Sequence, residues 1–187
     1  MGTKEAKKYI KALHKKQDNP YLWPDYLTGL PEKPAIIKWI SEVYGKPLKH
    51  ILYVRIANIH PYLIKYGPDR HADIIQWAAA VLKTTADKYK AFVGAFNSHD
   101  FIAVCDAKAA SDFMDEASKV FNKKALSFYS REDLQKGSVI SFIRDGKKVN
   151  AGFMKLISSG MCAKTDTPKD QVVQHLGSLC EKAERDM

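Results

Sequence analysis

Cysteine is scarce in this chain: Cys105, Cys162 and Cys180 are the only three in 187 residues. An odd number with no C-x-x-C spacing argues against both a disulfide framework and a zinc site, and two of the three sit in apolar contexts typical of buried free thiols. Long apolar runs are also missing. No stretch approaches the roughly 20 residues that span a bilayer, so no membrane insertion is expected. The N-terminal MGTKEAKKYIKALHKK lacks the apolar core of a signal peptide. Together these absences predict a soluble, cytoplasmic protein. No basic stripe interleaved with aromatics occurs, so the formal charge of +9 reads as solvated lysines and nucleic acid is not an expected partner. Internal repeats and low-complexity segments are absent as well.

What the chain does have is enough apolar material, 45% of its residues, to bury one substantial core. Residues 1–20 read as an N-terminal helix and linker, and 21–187 as one domain. Over 4–16, Tyr9, Ile10 and Leu13 lie on one side of a predicted helix with Lys4, Lys7, Lys8, Lys11, Lys15 and Lys16 around the rest. So narrow a stripe packs weakly alone. It is either a solvated lysine-rich helix or a linker that docks on or dimerises with a partner.

Asp18-Asn19-Pro20 ends that helix, and a turn-rich segment from Pro24 to Pro31 leads to a helix over about 33–44, closed by Gly45 and Pro47. HILYVRIAN, 50–58, has the β-branched content of a buried central strand. A short helix over 58–66 follows, with Pro61 in its first turn and Gly67 ending it. Asp69 is the expected cap of another, whose apolar face is Ala72, Ile75, Ala79 and Leu82. The runs 91–96 and 101–105, joined by Asn97-Ser98-His99-Asp100, predict a β-hairpin. A helix over about 107–121, an irregular insert over 127–148, a strand over 152–157 and a last helix opened by Thr167-Pro168-Lys169-Asp170 complete the order. Alternation of this kind predicts an α/β (α+β) sandwich with helices flanking a mixed sheet.

Four separated motifs then resemble one family, the GGDEF or diguanylate cyclase-like domains. Asp25-Tyr26-Leu27-Thr28-Gly29-Leu30-Pro31 is similar to the family's D-x-L-T-G-L-P entry signature nearly letter for letter. Val54-Arg55-Ile56-Ala57-Asn58-Ile59 stands where the family has I-D-I-D-N/H-F, with Tyr66-Gly67 matching the Y/F-G beyond it. Asn97-Ser98-His99-Asp100-Phe101 falls on the G-G-D/E-E-F hairpin, and Ser158-Ser159-Gly160-Met161 resembles the S-I-G-V strand end. Phe128-Tyr129, Gly137 and Arg144-Asp145-Gly146 are similar to an insert that some members carry. The match covers about residues 25–186. It implies a nucleotide-cyclase-like domain with a central, mostly antiparallel five-stranded sheet and an N-terminal helical extension.

The resemblance also implies where chemistry would sit. Joining two GTP molecules by attack of a 3′-hydroxyl on an α-phosphate needs divalent metal, and hard cations need carboxylate oxygens. The two metal-ligand positions of the family fall on Arg55 and His99, so magnesium is expected to be lost and no metal or other cofactor is assigned. The signature glycines have become Asn97 and Ser98, while Asp100 and Phe101 remain. The guanine-binding positions fall on Leu63 and Ala72, with Asp73 one residue away. The phosphate-contacting lysine falls on Glu184, with Lys182 and Arg185 nearby, and the inhibitory product site falls on Lys88 and Ala91.

Arg55 itself has two readings: a guanidinium that binds phosphate directly, or a salt bridge to Asp100 that fills the vacated site. His60, His71 and His99 show no metal-ligand spacing, and Trp23, Trp39 and Trp77 read as packing residues rather than base-stacking ones. The expectation is a catalytically inactive signalling domain, not an enzyme, whose partners are other signalling domains or proteins or a second copy of itself. The alternative is a receptor for GTP or cyclic di-GMP in the old cleft through Arg55, Asp73, Asp100 and Lys182. An active cyclase with rearranged ligands is the third reading.

Overall fold

The entry signature folds as a self-capping turn. In the computed structural model, which describes residues 24–187, Asp25 Oδ1 accepts from the Thr28 backbone N–H and hydroxyl, both at 2.7 Å, and from the Leu27 N–H at 3.2 Å. Gly29 takes the left-handed conformation at φ 69°, which glycine adopts at no steric cost. These bonds turn Leu30 into the core, where it is 2% exposed. The helix expected over 4–16 and Trp23 lie outside the described residues.

Helix α1 (Lys33–Val43) leads to β1 (Lys49–Ala57), then α2 (Ile59–Tyr66), α3 (His71–Tyr89), β2 (Phe92–Ala95) and β3 (Asp100–Asp106). Beyond these come α4 (Ala110–Ala125), α5 (Arg131–Lys136), β4 (Ile140–Arg144), β5 (Lys147–Ala151), β6 (Lys155–Cys162) and α6 (Val172–Arg185). Strand β1 is buried from Ile51 to Ala57, as a strand covered on both faces must be. It lies inside a four-stranded sheet of order β2-β3-β1-β6, every neighbouring pair antiparallel. The connections make two interleaved β-α-β units of the split type.

Alternate residues of β1 and β3 feed two cores. Leu52, Val54, Ile56, Phe101 and Ala103 pack against α2, α3 and α4. Ile51, Tyr53, Ile102 and Val104 pack against α1 and α6.

Several expectations are corrected. The main sheet has four strands, not five, and is wholly antiparallel among the described residues. The insert expected to be irregular contains α5 and a separate two-stranded ribbon, β4-β5, turned at Asp145 and Gly146 in left-handed conformation. It is clamped to α2: the buried Asp133 accepts from Lys65 and Tyr66, and Lys65 Nζ also donates to the Val139 carbonyl at 3.0 Å. Strand β6 starts at Lys155 rather than Gly152, and Ser158-Ser159-Gly160 lies inside it. Asp69 does not cap α3, whose flanking residue is Arg70, and Ala72 is exposed while Ile75, Ala79 and Leu82 are buried. Thr167 does not cap α6, because a 3₁₀ turn over Lys169–Gln171 intervenes. Trp39 is 41% exposed and stacks on Phe92 of β2 instead of joining helices.

The entry turn, α1 and the hairpin meet at Gly94. A Cβ there would lie 2.5 Å from Ile36 Cγ1 and 2.9 Å from the Pro31 carbonyl oxygen, and backbone cannot give way cheaply. Gly94→Ala is therefore expected to lower the unfolding free energy by about 2 kcal/mol in urea denaturation. An unchanged midpoint would contradict this close approach.

Candidate functional site

Arg55 and Asp100 face each other in register across β1 and β3, on the sheet face that α1 and α6 cover. Arg55 Nε donates to Asp100 Oδ1 at 2.7 Å and Nη2 donates to Oδ2 at 3.2 Å, a two-point contact in which both charges are held in a fixed plane. The pair is buried, with Arg55 at 8% and Asp100 at 2% exposure.

Helix α6 brings two more carboxylates to the same cation. Glu184 Oε2 accepts from Nη1 at 3.4 Å, and Glu181 Oε1 lies 3.7 Å from Nη2. Their spacing of three residues puts them on one helix face. The second oxygen of Glu184 accepts from the backbone N–H of Asn58 at 2.8 Å. Asn58 stands in left-handed conformation at the start of α2, where helix amides lack internal partners and favour an anion. Glu184 supplies that anion from within the chain.

The hairpin tip closes on the same pair. Phe96 and Asn97 backbone N–H groups donate to the Asp100 carbonyl at 2.9 and 3.1 Å, and Asn97 Nδ2 donates to Asp100 Oδ2 at 3.2 Å. The His99 carbonyl accepts from Ile56 N–H at 3.0 Å, tying the tip to β1. The His99 ring meets that of His60 edge-on at 5.2 Å. Nearby, Phe142 and Arg144 of the ribbon share a cleft of 330 Å³ with Asn58, Pro61 and Glu184.

Burial pushes the Asp100 carboxyl up, but the Arg55 guanidinium, the Tyr53 hydroxyl and the Asn97 amide outweigh it and hold the group below the usual carboxylate range. Arg55 is held above its ordinary value, Asp100 overcoming the cost of burial. Burial, then the Asp100 carboxylate, pushes the Tyr53 phenol up. Burial, with help from His60 and Arg55, lowers His99, so its imidazole is neutral at pH 7. The site sets one guanidinium against the side chains of Asp100, Glu181 and Glu184.

No family model matches the sequence, and no curated protein matches it. Solved structures do. The GGDEF domain of FimX from Pseudomonas aeruginosa is 14% identical with a TM-score of 0.53, over 88% of this chain and 94% of that one. The coiled coil and GGDEF domain of DgcB from Caulobacter crescentus, in complex with c-di-GMP, is 14% identical with a TM-score of 0.60, over 97% and 92%. The diguanylate cyclase SiaD from Pseudomonas aeruginosa, in complex with its activator SiaC, is 10% identical with a TM-score of 0.61, over 98% of this chain and 66% of that one. This chain has the fold of a GGDEF domain.

On that GGDEF fold the signature residues Asn97, Ser98, His99 and Asp100 occupy the β2-β3 hairpin, as the resemblance implied, and Phe101 is a core residue. Of the two readings of Arg55, the Asp100 pair is the contact present in this structure, where donors on all three guanidinium nitrogens go to carboxylates. Asp73 and Lys182 do not join the cluster among the described contacts. Asp73 pairs with Arg70 on the exposed side of α3, and Lys182 is exposed on α6. Lys88 pairs with Glu116 at 2.5 Å. Glu181 and the bond from Asn58 to Glu184 were not foreseen; the three-residue spacing of the two glutamates near the chain's end was the available signal.

Arg55→Met leaves Asp100 buried without its cation, and the unfolding free energy at neutral pH is expected to fall by about 3–5 kcal/mol. In the parent, Asp100 contributes stability above the ordinary carboxylate range that is lost as pH falls through its depressed folded value. In the variant the unpaired buried carboxyl titrates above that range, so acid relieves its cost. The difference between the two proteins should therefore narrow from about pH 7 to about pH 4 in urea titrations, and a constant difference would contradict the pairing.

Proposed function

We propose that this chain is a catalytically inactive GGDEF-like domain that works as a regulatory or protein-interaction module in cyclic di-GMP signalling. Its partners are other signalling domains or proteins, or a second copy of itself. The observation that carries this reading is the guanidinium of Arg55 lying 2.7 Å from Asp100, at a position where the resemblance implies a metal-binding carboxylate.

A divalent metal needs oxygen ligands free to coordinate it. Asp100 is engaged by Arg55 and Asn97, and a fixed cation this close repels a second one. His99 presents a neutral imidazole, a poor ligand for magnesium. The residues present do not fit the metal that joining two GTP molecules requires. The anion position at the start of α2 is filled by Glu184, which opposes a nucleotide's phosphates by like charge. The complex of SiaD with SiaC is a precedent, in that protein, for a GGDEF-containing chain that binds a protein partner.

Incubation with GTP and Mg²⁺ or Mn²⁺ is expected to yield no cyclic di-GMP by chromatography, and calorimetric titration with GTP or cyclic di-GMP is expected to give no heat at high micromolar ligand. Product formation overturns the reading. Metal-independent GTP binding that Arg55→Ala abolishes replaces it with a nucleotide receptor.

A further inference from the structure

The sheet face that carries Arg55 is not fully covered. Helix α1 packs on β2 and β3, and α6 packs on β1 and β6, so a groove of 780 Å³ lies between the two helices. Tyr53 and Phe96 form its floor, with Ile37 and Ile40 on the α1 wall and Val173 on the α6 wall. At one end the Tyr44 hydroxyl donates to the Thr167 carbonyl at 2.8 Å, tying the end of α1 to the segment before α6. The other end opens at the hairpin, where Phe96 precedes the Asn97 tip and Glu181 lies 3.7 Å from Arg55.

Shape and charge define what fills this groove. Ile37 is left 64% exposed, and Asp170, Gln174, Ser178 and Glu181 along the α6 wall are all exposed. A small molecule is ordinarily held in a concavity that hides most of its surface, whereas this groove is open along its length. The α6 wall from Val173 to Glu181 is about 12 Å long, the span of the i, i+4 and i+7 anchors by which an amphipathic helix lies in a groove. Gly177 leaves the middle of that wall without a side chain, in a helix interior where glycine is about 1 kcal/mol less favourable than alanine. A Cβ there would meet the Tyr53 ring at 3.2 Å.

The chain carries 30 basic and 21 acidic residues, yet the groove reverses that balance. Its charged lining is Asp170 and Glu181 against Lys169, with one carboxylate toward each end.

We propose that the groove between α1 and α6 receives a basic amphipathic helix of a partner protein, its apolar stripe lying on Ile37, Phe96 and Val173 and its cations meeting Asp170 and Glu181. Because Glu181 also faces Arg55, an incoming lysine or arginine competes for it, and binding in the groove is felt at the Arg55–Asp100 pair. This deepens the protein-interaction reading given above and rests on that part of it alone.

The test uses the full chain and two acetylated, amidated peptides of roughly 14 residues, both with leucine at i, i+3, i+4 and i+7. One carries lysine at the remaining positions and the other glutamate. Long-range attraction to a chain of charge +9 favours the glutamate peptide, so preference for the lysine peptide reports the groove and not bulk charge. Fluorescence anisotropy is expected to show the lysine peptide binding about tenfold or more tighter than the glutamate peptide, and Ile37→Lys to weaken it about tenfold or more. In NMR spectra the lysine peptide is expected to move the amides of Ile37, Phe96 and Val173 and the Arg55 Nε signal. Ile37 is exposed, and unchanged β1 and β3 amide shifts show that its variant keeps the fold. No binding, equal or tighter binding of the glutamate peptide, or binding that Ile37→Lys leaves unchanged overturns the proposal. Self-association of the chain that Ile37→Lys abolishes in sedimentation velocity overturns it as well and assigns the groove to a second copy. None of these outcomes bears on cyclic di-GMP synthesis, and synthesis does not bear on peptide binding, so the two readings fail separately.

Discussion

One buried cation organises the business end of this domain. Arg55 sits near the end of the central strand, 8% exposed, and a guanidinium removed from water must be compensated by carboxylates with good geometry or it destabilises the fold. Compensation arrives from three places: Asp100 on the hairpin, and Glu181 and Glu184 on the last helix. The tip of β2-β3, the C-terminal turns of α6 and, through Asn58, the start of α2 are thereby drawn to one point. Three elements that are far apart in sequence are here cross-linked by charge.

That arrangement separates scaffold from chemistry. The aliphatic run of β1, the Asp25 turn and the apolar faces of α3 and α4 build an overall fold shared with proteins to which this chain is only 10–15% identical. Hydrophobic burial tolerates such divergence as long as pattern and volume are kept. The polar site has no comparable tolerance, because the charge of a single buried side chain such as Arg55 sets what its neighbours can pair with.

Much of the fold was legible because its signals are local. Asp25, Thr28 and Gly29 each do in the turn what their side chains or lack of one allow, and a run such as Ile51 to Ile56 has few alternatives to a buried strand. The ribbon β4-β5 was missed because Ser141, Phe142 and Ile143 are all exposed, so no one-faced alternation marks them. Ser158-Ser159-Gly160 suggested a strand end, yet Gly160 is in β6 because a Cβ there would lie 2.5 Å from Leu52 Cδ2; strand glycine here marks close approach to a neighbour. At the site, the pairing of Arg55 with Asp100 could be read from the hairpin register. The Glu184 contact could not, since it joins residues 126 apart in sequence through the docking of a terminal helix.

The central claim is that Asp100 is held ionised by Arg55 rather than left free to bind a metal. Carbon-detected NMR titration of the Asp100 carboxyl tests it directly. The account predicts that this group remains ionised below the ordinary carboxylate range and that added Mg²⁺ leaves its shift unchanged. A carboxyl that titrates within or above that range, or moves on addition of Mg²⁺, would contradict it.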